Sequence, residues 1–443
     1  MRGTCFSKTM TAAVFTAAMT ALGANVDASL TGLLQGRPAI MAGEAQTMVP
    51  FLAQVGLRAS DISVGPVQDV RVGVGAWGRV SLNGGEQSAG DVDLAFVSGK
   101  LFDKRLTITL GRQFRSGGAL RALHLDGGNL DVTLPLRLGF SVFGGAPVIP
   151  RFAVARGDAA WGARLYWRPN FNSEVGVSYF ELMDHGYTGR RDLGVDGRTE
   201  LFRRLRVSGM AIVSAIEGRL AEADITPAYR LNGDFELSAF FRHTSPDLLL
   251  PRTSILSVFA QTNQNQGGLG LIWAPGGLVS AAIDARLISI PNDPLGYELR
   301  GQATLRPSPN TRATLEAVRL SLPDNGYTRL RLAGGGTIGR LALSLDLEGY
   351  LLDLPVNAVR QSYSAAATAR LPLPLGFDAV VSGLFATDPF YQTRFEVLAR
   401  LIYTFTIRTR TESPESPKKK DDDDEKDSEA RNGRPVRAAG GTT

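Results

Sequence analysis

Three histidines, His124, His185 and His243, are the only imidazoles in the chain. Beside a hydroxyl or an acid, an imidazole can act as the base that activates a nucleophile. His185 follows Asp184, and His243 precedes Thr244 and Ser245. Adjacent residues of an extended chain point to opposite faces, so these pairs make poor catalytic geometry, and no enzyme is expected. Cofactor and metal chemistry are equally thin. The single cysteine, Cys5, lies in an N-terminal leader, so the mature chain has no thiol or disulfide. The run Asp421 to Asp424 lacks the spaced ligands and turn glycine of a calcium loop. Gly117-Gly118 and Gly334-Gly335-Gly336 do not stand between a strand and a helix, so they cradle no phosphate. No cofactor and no metal are expected.

What the chain has in quantity is paired charge. Arg71, Arg79, Arg164, Arg242, Arg286, Arg300, Arg329, Arg331 and Arg400 fall on the polar side of alternating segments. So do Asp93, Glu222, Asp224, Asp284, Glu298, Asp346, Glu348 and Glu396. Neighbouring segments mix the signs, so most of these residues read as cross-strand pairs bracing a wall. The excess is arginine, and rings of Arg select anions where a pore narrows. The net charge is +5 with an isoelectric point near 9.4. No basic patch interleaved with stacking aromatics accompanies it, so nucleic acid is not expected as a partner.

These charges need elements that point every second residue one way. The last regular stretch, FEVLARLIYTF, places Phe395, Val397, Ala399, Leu401, Tyr403 and Phe405 on one face. Its length suits a tilted strand crossing a bilayer. About 20 such segments run from Asp69 to Phe405, an expectation of roughly 16 to 20 strands. Residues 296–306 and 340–352 are the clearest. Short turns, such as Leu231-Asn232-Gly233-Asp234 and Pro307-Ser308-Pro309-Asn310, alternate with longer segments at 114–127, 145–159, 183–192, 244–264, 288–295 and 353–361. Aromatics of the apolar face sort to two levels, Trp167, Tyr229, Phe235, Trp273, Phe377, Tyr403 and Phe405 against Trp161, Phe241, Tyr297, Tyr363, Phe385 and Phe395. Two girdles are expected where rings meet the two lipid–water boundaries. Mean hydropathy is −0.02, as expected when half of each strand faces water.

The run from Asp69 to Phe405, including ITLGRQFRSGGALRALHLDGG at 108–128, resembles a Gram-negative outer-membrane β-barrel of porin type. The ending Leu401-Ile402-Tyr403-Thr404-Phe405 is similar to the terminal strand by which such barrels are recognised for assembly, with Phe395, Leu401, Tyr403 and Phe405 as its signal. The resemblance implies an all-β, antiparallel up-and-down barrel in the outer membrane. It implies outer-membrane lipid, the barrel-assembly machinery and small hydrophilic solutes as partners, and leaves a homo-oligomer open. Residues 1–28 read as a signal peptide, with Arg2 and Lys8 before an uncharged run and Val26-Asp27-Ala28 at a cleavage site. Residues 29–68 are expected as a periplasmic lead-in or a small plug, and residues 69–407 as the barrel. Residues 408–443 are too charged to fold and are expected as a disordered periplasmic tail. The expected function is a passive channel with mild anion preference. A non-conducting structural or adhesive anchor, and a transporter of apolar cargo with an N-terminal plug, stand as alternatives.

Overall fold

The computed structural model describes residues 25–41, 44–83, 88–148, 158–249, 262–389 and 393–408. The expected signal peptide up to residue 24, and the tail from residue 409, lie outside the described residues. Described in order are β1 (Asn25–Met41), β2 (Glu44–Met48), β3 (Pro50–Val64), β4 (Val67–Ser81), β5 (Ala89–Leu101), β6 (Leu106–Gly117), β7 (Leu120–Thr133), β8 (Leu138–Val148), β9 (Ala159–Asn170), β10 (Ser173–Asp184), β11 (Tyr187–Leu201) and β12 (Leu205–Ser214). There follow β13 (Arg219–Arg230), β14 (Phe235–Thr244), β15 (Gln264–Trp273), β16 (Val279–Ser289), β17 (Gly296–Ser308), β18 (Thr311–Ser321), β19 (Gly326–Ile338), β20 (Leu341–Val356), β21 (Val359–Pro372), β22 (Phe377–Thr387) and β23 (Arg394–Ile407). Each wall strand pairs antiparallel with the next, and β1 pairs with β23 from Val26–Ile407 to Gly36–Val397. β2 and β3 are one wall strand broken at Val49, both lying against β1. The result is a closed up-and-down barrel of 22 strands.

That count exceeds the expected 16 to 20, and the excess comes from residues 25–64. Instead of a lead-in or plug, they form β1 and the β2–β3 strand that close the wall. Their alternation is hidden by local irregularity. The β3–β4 ladder slips twice, between Ala59 and Ile62 and between Ile62 and Val64. Asp61 and Asp69 take positive φ there, at 62° and 50°. The expected leader boundary at Ala28 falls inside β1, where Val26 is buried with Ala59 and Ile62. Three expected long loops are also mostly strand. Residues 114–127, 183–192 and 353–361 extend the hairpins β6–β7, β10–β11 and β20–β21.

The outward face carries the apolar residues. Leu269, Ile283, Leu299, Leu315, Leu330 and Val381 are each at least half exposed. No core outside the wall covers them among the described residues, so lipid is the solvent that matches this face. Aromatics bound it at two levels. Phe235 meets Trp273 with centroids 6.5 Å apart and Phe377 meets Tyr403 at 4.6 Å, both toward the short-turn end. Phe385 stands opposite Phe395 toward the other end. Among the described residues no helix is long and apolar enough to cross a membrane. The crossing is made by strands, whose backbone polar groups a closed ladder satisfies.

Candidate pore constriction

The β6–β7 hairpin does not follow the wall to its end. The β5–β6 ladder stops at Ala95–Arg112, while β6 and β7 stay paired to Gly117–Leu120. Glycines mark the departure, with Gly111 opposite Gly127, Gly127 opposite Gly145 and Gly128 opposite Gly144. Gly111 has φ +109°, and a Cβ there would overlap the Ala95 carbonyl. A Cβ on Gly127 would likewise overlap the Gly144 carbonyl. Only residues without Cβ allow this close approach. Beside the bend, Arg112 donates to Asp126 at 2.7 Å and to Asp91 at 3.0 Å. Gln113, itself buried, donates to the Thr109 and Gly127 carbonyls.

Bent this way, the hairpin lies along the inner side of the wall. Leu125 is fully buried against Phe143, Ala160 and Phe180, with Leu120, Leu123 and Leu182 packed around them. A leucine or phenylalanine buried in this way contributes on the order of 1.5–3 kcal/mol. The tip reaches β11, where the Ala119 amide donates to Asp196 Oδ1 at 3.0 Å. A Cβ on Gly118 would overlap Asp196 and Arg164. Ala119 also packs with Ile212, Ala221 and Leu248. Leu248 belongs to a short turn, α1 (Pro246–Leu249), at the start of the β14–β15 connection. This start of the connection folds against the wall through Leu248; residues 250–261 lie outside the described residues.

A cavity of about 570 Å³ opens beside the tip, lined among others by Arg115, Arg168, Arg198, Asp131, Glu174 and Asp224. Arg164 links its two sides, donating to Glu174 at 2.7 Å and to Asp196 at 3.2 Å. Arg168 reaches Glu174 at 2.6 Å and stands 4.5 Å from the Tyr166 ring centre. Arg115 lies 3.7 Å from Asp131. In two of the pairs, one here and one farther round the wall, the carboxylate sits low and the guanidinium reaches out. Arg168 is 53% exposed against 12% for Glu174, and Arg300 is 44% exposed against 6% for Glu316.

Of the residues expected to line the pore, Arg164 and Asp224 line this cavity. The others form ladders elsewhere. Arg300 and Arg329 both bond Glu316, Arg329 lies 3.4 Å from Glu348, and Arg331 bonds Asp346 at 2.9 Å. Arg286 bonds Glu298, Arg242 reaches in to Asp224 at 2.9 Å, and Arg71 bonds Asp69 at 2.7 Å. Asp284 lies opposite Arg300, and Arg79 opposite Leu52. Asp93 sits at a bulge in the β4–β5 ladder, and its neighbour Asp91 carries the ion pair to Arg112. Sequence reading missed Arg115, Arg168, Glu174, Asp196, Arg198 and Glu316. For the residues around the tip, the signal was the glycine row, which tells which hairpin bends and so which wall residues it meets. Of the expected assembly signal, Phe395, Leu401 and Phe405 are exposed on the outward face, with Tyr403 in the same row.

No family model matches the chain, and no curated protein matches it significantly. Solved barrels do. The P pilus usher PapC translocation pore is 10% identical, over 86% of this chain and 99% of that one, with a TM-score of 0.44. OccK2 (OpdF) of Pseudomonas aeruginosa is 12% identical over 87% and 98%, with a TM-score of 0.43. OccK3 (OpdO) of the same organism is 10% identical over 87% and 96%, with a TM-score of 0.44. Identity and overlap at this level carry no function across.

Proposed function

We propose that this chain is an outer-membrane channel for small hydrophilic solutes, narrowed by the β6–β7 hairpin and mildly selective for anions. The observation that carries it is the hairpin bent into the lumen and pinned on Asp196, beside a charged, water-accessible cavity. A hairpin that served only display would have no reason to lie inside the wall. The anion preference rests on height. Around Glu174 the carboxylate lies at the base and the outer guanidiniums cover it, so a passing solute meets Arg168 and Arg198, which is 67% exposed. The barrel residues Arg71, Arg79, Arg242, Arg286, Arg300, Arg329 and Arg331 supply the same bias along the wall. The apolar-cargo alternative with an N-terminal plug loses its plug, because residues 29–68 belong to the wall.

Both chain ends of the barrel lie at the short-turn end, with Val26 opposite Ile407. We place that end, and with it both termini, in the periplasm. Single-channel recordings under a KCl gradient test the channel reading. The expected reversal potential has the anion-selective sign, and Arg168→Glu with Arg198→Glu moves it toward cations. Folded protein that gives no conductance would leave the anchor reading in its place.

A further inference from the structure

The outward rows of the wall are apolar almost throughout, so the charges in them stand out. Among the described residues of strands that stay in the wall, two arginines lie in these rows. Arg191 shares its row on β11 with Leu193 and Val195, and Arg319 shares its row on β18 with Leu315. Those three neighbours are each more than half exposed. Both arginines stand near the loop end. Arg191 is opposite Glu181, which has Trp161 on its other side, and Arg319 is opposite Leu299, two residues from Tyr297. Trp161 and Tyr297 belong to the girdle at that level. At the short-turn end no outward row carries an arginine or lysine among the described residues. A charge facing lipid costs ~2–4 kcal/mol at the bilayer midplane but ~0–1 kcal/mol near an interface. The position is that of the lipid–water boundary, and an ionisable side chain kept there asks for a partner.

The two arginines are built differently. Arg319 is closed: Nη1 and Nη2 donate to Asp353 at 2.6 and 2.8 Å, and Nη1 also reaches Thr328 Oγ1 at 3.4 Å. Arg191 is open. Among the described residues only its Nη2 has an acceptor, Glu181 Oε1 at 2.8 Å. That carboxylate also accepts from the Tyr179 hydroxyl, and from Thr188 Oγ1 at 3.2 Å, so three donors share its charge. Glu181 lies at 8% exposure beneath a guanidinium at 44%. The acid is a fixed seat. It holds one prong of a planar fork and leaves the other N–H donors to a further acceptor.

We propose that Arg191, seated on Glu181, binds the phosphate group of an outer-leaflet lipid whose acyl chains lie along Val177, Leu193 and Val195. The proposal rests on the placement of the loop end outside the cell. Guanidinium forks match the geometry of phosphate oxygens, and their bonds to them are charge-assisted. The height agrees with this, since the Trp161 ring marks the level at which lipid headgroups begin. Below it, Val177, Leu193 and Val195 are each more than half exposed and present an apolar track. A free phosphate ion would meet the guanidinium alone. A lipid adds the contact of its chains with that track, so the surface fits a lipid and not the ion.

The test titrates the full chain in detergent micelles with diphosphoryl lipid A and, separately, with its dephosphorylated form, followed by native mass spectrometry. Wild-type protein should bind the phosphorylated form tighter by about tenfold or more. That comparison needs no variant to fold. Arg191→Gln should remove the difference, whereas Arg319→Gln, which deletes the same charge from the same face, should keep it. Arg191→Gln should also keep heat-modifiable migration and single-channel conductance, because the residue lies outside the lumen. A failed channel reading would show as wild-type protein without conductance and would leave the titration untouched. Equal binding of the two forms by wild-type protein overturns the proposal, and so does an equal loss in the two variants. Phosphatidylglycerol bound more tightly than lipid A overturns it as well, since that phosphate belongs to the inner leaflet.

Discussion

Glu316 shows how single residues divide the work of the wall. Its carboxylate is nearly buried, bonded by Arg300 at 2.6 Å and by Arg329 from the other side. Such charge-assisted bonds contribute roughly 1.5–3 kcal/mol each where one partner stays behind unpaired. Glu316→Ala is expected to cost about 2 kcal/mol of stability in urea unfolding from micelles. Arg300→Ala should cost less, because Arg300 is nearly half exposed and surface pairs contribute little. Equal losses from both would refute the view that the acids are the structural members and the arginines the solute-facing ones. Sequence alternation placed Arg300 and Arg329 on the lumen side, but not Glu316 between them. Both arginines compete for acids on neighbouring strands, and the choice depends on register, which no single strand records.

At the scale of elements, the hairpin was half legible. The step Gly111-Arg112-Gln113 and the pair Gly127-Gly128 stood out in the sequence, yet only as the two ends of a loop at 114–127. The strands continue through both, and the glycines serve close approach between β6, β7 and β8. Gly127→Ala sets a methyl group against the Gly144 carbonyl and should displace the hairpin. The expected result is a larger single-channel conductance from protein of normal heat-modifiable migration; an unchanged conductance would mean that the hairpin does not limit the pore. The terminal strand is the opposite case, legible in full, since its outward row keeps strict period two. Tyr403→Asp with Phe405→Asp places charge near the interface, at about 0–1 kcal/mol each. Membrane levels should fall far more than that, if the strand is read during assembly. Normal levels would place the signal elsewhere.

For the whole molecule, the sequence announced a barrel but undercounted its wall. The strands from β4 onward alternate cleanly, and those that do not are the ones that close the ring. Leu33-Leu34 and the twin slips around Asp61 break their pattern. Ser29 stands opposite Thr404 across the closing seam. Ser29→Cys with Thr404→Cys should form a disulfide that alters migration of the denatured chain, whereas a barrel closed by β4 would leave both thiols free. The same ring has a weaker place. Above Ala95 and Arg112 the β5–β6 ladder is gone, although β5 remains paired with β4 up to Ala89. One guanidinium spans the gap, with Arg112 donating to the Val92 carbonyl at 2.6 Å as well as to Asp91 and Asp126. The barrel is thus a zipper with one notch, and the bend that narrows the lumen is what cut it. Amide protons of β5 between Asp91 and Leu94 should exchange sooner than those of any neighbouring wall strand, and a barrel pulled apart should tear there first.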